Sequence, residues 1–391
     1  MIEKVEKPGE EKFSIARKFG ELLSERMKKD PHFYLFSPDE TTSNKLDEVY
    51  EVSARLWGMP KKDWDLKEAE DGRIVELLSE NTLFAMMMGH IMNGEQAMMT
   101  SYESFFSVAC SQILQQIKFF KQSNEVSWRP KYPAVNLLST STCWRQDHNG
   151  FSHQSPAMIS ALLSVPSNLV NCLFPIDDVS AEAAFDFMLK SENVVNLTTF
   201  DKNENPRWID SYHAKFQFKN GGASVFGFSS DENPEIIFTA AGDIATREAL
   251  LAMEILRKDL PEKRMRFVGI NSLSYNAIGT TKNKLSNETF NDYFTTDKPI
   301  VANFHGYAET LRGILTHYAG QDRFSVHGFF EEGSTTTPFE MLTKNGASRY
   351  DLAADAARKF GRGDLAEKYL KKIEENHKHA VEFGLDLPEN N

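Results

Sequence analysis

Apolar positions recur at helical spacing over residues 12–28, where Phe13, Ile15, Ala16, Phe19, Leu22, Leu23 and Met27 predict an amphipathic helix. The apolar run Phe33 to Phe36 follows and predicts a buried strand that ends at Ser37-Pro38-Asp39-Glu40. Arg73 to Leu78 predicts another strand, Thr82 to Met92 a helix, and Met98 to Thr100 a strand. Tyr102 to Lys121 reads as one long helix. Ala134 to Leu138, Leu169 to Leu173 and Val194 to Thr199 are strand candidates, with a helix over Ala181 to Lys190. Gly221 to Pro234 is polar, rich in Gly, Ser and Asn, and reads as a linker. A second unit then starts at Glu235-Ile236-Ile237-Phe238, with a helix over 245–258, strands over 265–270 and 300–304, and helices over 308–318, 349–360 and 363–381. Strands alternating with helices predict an α/β fold built on mostly parallel sheets with both faces covered.

Composition narrows the function without altering this picture. The 391 residues suffice for two to three domains, and 44 Lys+Arg against 56 Asp+Glu give a net charge of −12. Nucleic acid is an unexpected partner for so acidic a chain, because backbone binding needs a basic face. Three cysteines, Cys110, Cys143 and Cys172, form no C-x-x-C pair and read as thiols of a reducing compartment. The charged residues Met1 to Glu11 show no signal peptide, and no run of about 18 apolar residues suggests a membrane span. The expectation is a cytoplasmic protein.

Chemistry concentrates in Trp144-Arg145-Gln146-Asp147-His148-Asn149-Gly150-Phe151-Ser152-His153-Gln154, which follows a strand. Ligands of open parallel sheets gather at the carboxyl ends of strands, where such a titratable segment suits proton transfer and recognition of a hydroxylated or phosphorylated substrate. Glu80 follows the apolar strand and precedes a helix. It is either a desolvated acid or a first-turn residue facing the helix dipole. Tyr102 and Phe105, at a helix start, either stack on a flat ring or belong to the core. Ser43, Asn44 and Lys45 either receive a phosphate or cap a helix. Gly242-Asp243, 28 residues before Asn271, echoes a magnesium-diphosphate motif but lacks its second Gly, and reads as a strand end before a helix.

Taken together, these segments resemble the carboxy-terminal half of phosphoketolase, a thiamine-diphosphate enzyme family. The matching runs are Pro38-Asp39-Glu40-Thr41 with Ser43-Asn44, Leu78-Ser79-Glu80, Ser101-Tyr102-Glu103 with Phe105, Trp144 to Gln154, Gly242-Asp243, Thr295 to Pro299 with Phe304 to Tyr307, and Glu331-Glu332-Gly333 with Thr335 to Phe339. The resemblance implies a pyrimidine-binding domain over 1–222 and a transketolase C-terminal-like domain over 223–391. It implies that Glu80 hydrogen-bonds the aminopyrimidine and that Tyr102 and Phe105 flank that ring. Gln146, His148, Asn149 and His153 would contact substrate oxygens and the reacting two-carbon unit, Asn149 would also contact the cofactor, and His148 or His153 would donate the proton that lets hydroxide leave. Ser43 and Lys202 would lie near the substrate phosphate. Asn81 replaces the family's usual His, and Lys45 its usual Arg.

Family chains are about twice as long, and the half without counterpart here carries the diphosphate-binding domain with its magnesium ligands; no metal ligand is expected in this chain. The resemblance therefore implies a subunit of a split enzyme, working as a homo- or hetero-oligomer with a chain that supplies that domain. The substrates would be xylulose 5-phosphate or fructose 6-phosphate and inorganic phosphate, and the cofactors thiamine diphosphate and magnesium. The alternatives are a non-catalytic regulatory paralogue and a transketolase-type transferase.

Overall fold

The computed structural model describes residues 5–391 except Asp39, Ala319, Gln321, Asp322, residues 332–334 and Asn391. Of the matching motif residues, Asp39, Glu332 and Gly333 lie outside the described residues. The chain forms two compact units, one of residues 1–141 and 165–215, the other of 142–164 and 216–391.

The first unit is built on eight strands in the order Val170–Leu173, Val195–Thr199, Val135–Thr140, Ala97–Tyr102, Tyr34–Ser37, Ile74–Glu76, Arg55–Leu56, Glu68–Ala69, and every pairing among them is parallel. The central strand Val135–Thr140 is buried at every position, as a parallel strand covered on both faces must be. Ile15–Lys29 packs on Asp178–Leu189, where Phe19 stacks on Phe200 at 4.6 Å and meets Phe185 edge-on. The strand order reverses between Tyr34–Ser37 and Ala97–Tyr102: one half of the sheet grows outward from each. Such a switch point opens a crevice at the carboxyl ends of the two strands.

The second unit has a five-stranded sheet in the order Ala223–Val225, Met265–Ile270, Ile236–Ala241, Ile300–Tyr307, Phe324–Phe329. The first pairing is antiparallel and the rest are parallel. The segment expected as a linker thus contributes an edge strand, Ala223–Val225. The long helix expected over 102–121 is instead a 3-10 turn, Glu103–Ala109, followed by the helix Cys110–Glu125. Ile236–Ala241 ends one residue before Gly242, and the helix Asp243–Asp259 starts one residue after it. Residues 142–164 are tied to this unit by Trp144, buried among Ile244, Phe329, Phe339 and Met341, with its Nε1–H donated to the His305 carbonyl at 2.8 Å.

Candidate functional site

In the first unit, five of the candidate residues follow the carboxyl ends of sheet strands. Ser43 follows Tyr34–Ser37, Glu80 follows Ile74–Glu76, Tyr102 ends Ala97–Tyr102 with Phe105 just beyond it, and Lys202 follows Val195–Thr199. Tyr102 donates its hydroxyl to Ser43 Oγ at 3.0 Å. Its ring lies nearly parallel to Phe105, with centroids 6.0 Å apart and 14° between planes. Lys202 Nζ sits over the Tyr102 ring, 5.1 Å from its centroid. Burial pulls the Lys202 ammonium below its ordinary pKa, opposed by the carboxylates of Asp201 and Glu40. The Ser101 hydroxyl donates to Glu80 Oε1 at 3.5 Å.

Glu40 belongs to a matching run but carries no role legible in the sequence, and the structure places it among these residues. It is 9% exposed and accepts the Tyr102 backbone N–H at 3.1 Å. Desolvation pushes its carboxyl up to about 8, against the pull of the Tyr102 N–H and with help from the nearby Glu80 charge. Asn44 secures the loop beneath it, accepting from the hydroxyls of Thr140 and Ser141, the latter at 3.2 Å, and donating to Thr100 Oγ1 at 3.5 Å. The signal in the sequence is a carboxylate just past the end of an apolar strand. Asn81, which departs from the family pattern, has a local structural task. Its Oδ1 accepts from Ser79 Oγ at 2.6 Å and from the Thr82 N–H at 3.0 Å, closing the helix start beside Glu80.

Gln146, His148, Asn149 and His153 lie in the second unit. Their loop turns on Gly150, whose φ of 73° with ψ of −169° is open to glycine and strained for other residues. The loop meets the other distinctive motif of the sequence, since Thr336 N–H donates to the Asp147 carbonyl at 3.0 Å. Gln154 Nε2 donates to the Gln146 carbonyl at 2.7 Å. Gln146 is buried, and its Nε2 has no hydrogen-bond partner among the described residues. His148 is exposed, with Nδ1 3.8 Å from Asp147 Oδ2. His153 Nδ1 contacts Ser152 Oγ at 2.8 Å, and burial with the neighbouring His148 charge lowers its pKa.

The sequence profile of D-xylulose 5-phosphate/D-fructose 6-phosphate phosphoketolase matches residues 17–191, and that of the same family's C-terminal domain matches 202–391. The chain belongs to the phosphoketolase family. A probable phosphoketolase of Pseudomonas putida is 33% identical over 392 residues, covering 98% of this chain and 50% of that protein. One from Thermosynechococcus vestitus is 33% identical, covering 98% and 49%. The chain thus spans about half the length of the curated phosphoketolases it matches. A transketolase from Pichia stipitis, solved with sedoheptulose 7-phosphate, shares the fold with a TM-score of 0.71 at 15% identity, covering 92% of this chain and 47% of that one. A split-gene transketolase, solved as an inactive β4 tetramer, matches with a TM-score of 0.59 at 14% identity, covering 92% of this chain and 98% of that one. As a phosphoketolase family member, the chain has a thiamine-diphosphate enzyme fold. No helix among the described residues is long and apolar enough to cross a membrane.

The residues fit one end of thiamine diphosphate. An acid beside a hydroxyl, a flat pair of aromatic rings and a buried carboxyl that favours its proton suit a polar heteroaromatic ring.

Proposed function

We propose that this chain is one subunit of a split phosphoketolase that cleaves a ketose phosphate with inorganic phosphate, giving acetyl phosphate, an aldose phosphate and water. A second chain would supply the diphosphate- and magnesium-binding half. The observation that carries this reading is the gathering of Glu40, Glu80, Tyr102, Phe105 and Lys202 at the carboxyl edge of one parallel sheet, in a chain half as long as its relatives. The deciding experiment is co-expression with the amino-terminal half of a phosphoketolase, followed by assay of acetyl phosphate. Full activity from this chain alone overturns the split-site reading, and a longer sugar phosphate as product favours a transketolase-type transferase.

In this reading Tyr102 and Phe105 hold the pyrimidine end of thiamine diphosphate, and Glu80 exchanges a proton with the ring. When bound, the cofactor supplies the carbon nucleophile that attacks the ketose. Glu40 keeps its own proton near neutral pH, so no second full charge competes beside Glu80. Lys202 and Ser43 receive the substrate phosphate. Gln146, Asn149 and His153 hold substrate oxygens, and His148 or His153 delivers the proton with which hydroxide leaves as water. Lys202→Ala is expected to raise the KM for the sugar phosphate by about tenfold or more, the worth of one charge-assisted hydrogen bond, with a smaller change in kcat. Steady-state kinetics on the reconstituted complex checks this split.

The first unit also carries surface suited to association. Arg55 pairs with Ile74, so Trp57 and Met59 lie beyond the strand end, on the same side as Leu77 and Leu78. Met59, Trp64, Leu66 and Leu78 are each between 66% and 80% exposed. Large apolar side chains this exposed suit an interaction surface. Around the neighbouring helices, Phe84, Met88, Met92 and Phe119 line a further groove of about 530 Å³. Trp64→Ser combined with Leu78→Ser is expected to weaken association with the companion chain by about tenfold or more, read by analytical ultracentrifugation, without loss of helix content.

A further inference from the structure

We propose that the second unit carries a binding site for a hydroxyl-bearing phosphate monoester, in the cleft along the outermost strand Phe324–Phe329. The cleft measures about 480 Å³, and its walls include Arg312, Ser325, His327, Asp351, Asp355 and Arg358. That volume falls in the range of small-molecule sites. None of these residues belongs to the motifs that carry the family resemblance, and none is a candidate for the phosphoketolase chemistry.

The charges within the cleft are not mutually neutralised. Asp351 Oδ2 is occupied by the Ser348 hydroxyl at 2.5 Å and the Ser348 N–H at 3.1 Å, an N-terminal capping box. Asp355 faces His327 Nε2 at 3.2 Å and Lys359 Nζ at 3.8 Å. His327 Nδ1 lies 2.6 Å from the Gly346 carbonyl, so both ring nitrogens face oxygen atoms of the protein and neither is open to a ligand. The two arginines are left over. The side chain of Arg358 has no hydrogen-bond or ion-pair partner among the described residues. The ion pair of Arg312 is with Glu309 at 3.6 Å, a carboxylate 81% exposed and largely solvated. In a chain of net charge −12, this cleft presents two available guanidiniums.

A guanidinium recognises phosphate through two parallel N–H donors, and a pair of them suits a dianion. The fixed carboxylates set the rest of the ligand. Each carboxylate has about four acceptor positions, so Asp351 and Asp355 keep lone pairs for ligand hydroxyls after their protein partners are served. Bare phosphate gains nothing from them and is repelled. The combination selects a phosphate joined to a polyol.

Calorimetric titration of the full chain with ribose 5-phosphate tests this, with ribose and inorganic phosphate as separate titrants. Saturable binding of ribose 5-phosphate, tighter than either, is expected. Arg312→Ala and Arg358→Ala should each weaken it by about tenfold or more, and Arg358→Lys by less. Both arginines lie at the surface, so the variants keep the fold. Lys202→Ala, which removes the phosphate contact proposed for the first unit, should leave this binding unchanged. Absence of saturable binding, binding that survives both arginine substitutions, or binding lost with Lys202 overturns the proposal. Inorganic phosphate binding as tightly as ribose 5-phosphate overturns the hydroxyl-bearing class.

Discussion

Glu80→Gln, introduced into the complex with a companion chain, is expected to lower acetyl phosphate formation by about 10²–10⁴-fold, the usual worth of one general acid–base group. Gln keeps the size of the side chain and can still accept the hydrogen bond that the Ser101 hydroxyl gives Glu80 Oε1 at 3.5 Å. It loses the ability to take up and return a proton. Glu80 is the first residue of the helix Glu80–Met92, so the substitution also gives up a favourable charge at a helix N-terminus, a loss of about 0.3–1 kcal/mol that leaves the fold intact. Glu80→Asp retains the acid but withdraws it by one methylene, and an intermediate rate is expected because proton transfer depends on distance. Circular dichroism and thiamine diphosphate binding, measured beside the rate, separate lost chemistry from a lost cofactor. An unchanged rate in Glu80→Gln removes Glu80 from the mechanism.

How much was legible in the sequence depended on how far apart the cooperating residues lie. Uncharged runs such as Val135–Thr140 and Ile236–Ala241 announce buried parallel strands, because nothing charged interrupts them. The edge strands do not. Glu68–Ala69 has only two residues, as does its inner neighbour Arg55–Leu56, and Phe324–Phe329 mixes Ser325 and His327 into its apolar positions because one side of an edge strand is open. Ala223–Val225 lies in a Gly- and Ser-rich stretch and is a strand only because Met265–Ile270 is available to pair with it. The candidate site followed the same rule. Gln146, His148, Asn149 and His153 are adjacent in the chain and could be read as a group. Glu40 could not, since its environment is made by Tyr102 and Lys202, far along the sequence. Arg312 and Arg358 likewise line one cleft from different helices.

Glu40→Gln is expected to raise the stability of the chain at alkaline pH and to flatten its pH dependence. Burial raises the Glu40 carboxyl from an ordinary value of 4.5 to about 8 in the folded chain. An acid so raised binds its proton more tightly when folded than when unfolded. Between roughly pH 4.5 and pH 8 the folded state therefore carries more of that proton, and stability falls as pH rises through this window. Below it the group is neutral in both states, and above it the charge is fully present in both and the cost is constant. Each tenfold difference in proton affinity between the two states is worth about 1.4 kcal/mol, so the total comes to a few kcal/mol. Gln has no charge to bury and still accepts the Tyr102 N–H through its amide oxygen, as Glu40 does at 3.1 Å. Chemical denaturation at pH 5 and pH 9 should show little difference between wild type and variant at the lower pH and a more stable variant at the higher. Lys202 sharpens the test. Its ammonium is itself held below its ordinary pKa by burial, and the Glu40 charge works against that displacement. Removing the Glu40 charge should therefore lower the Lys202 pKa further, visible as an earlier loss of sugar-phosphate affinity with rising pH in the reconstituted complex. Parallel stability curves for the two proteins across the window would mean that Glu40 is solvated and ionised like a surface carboxylate.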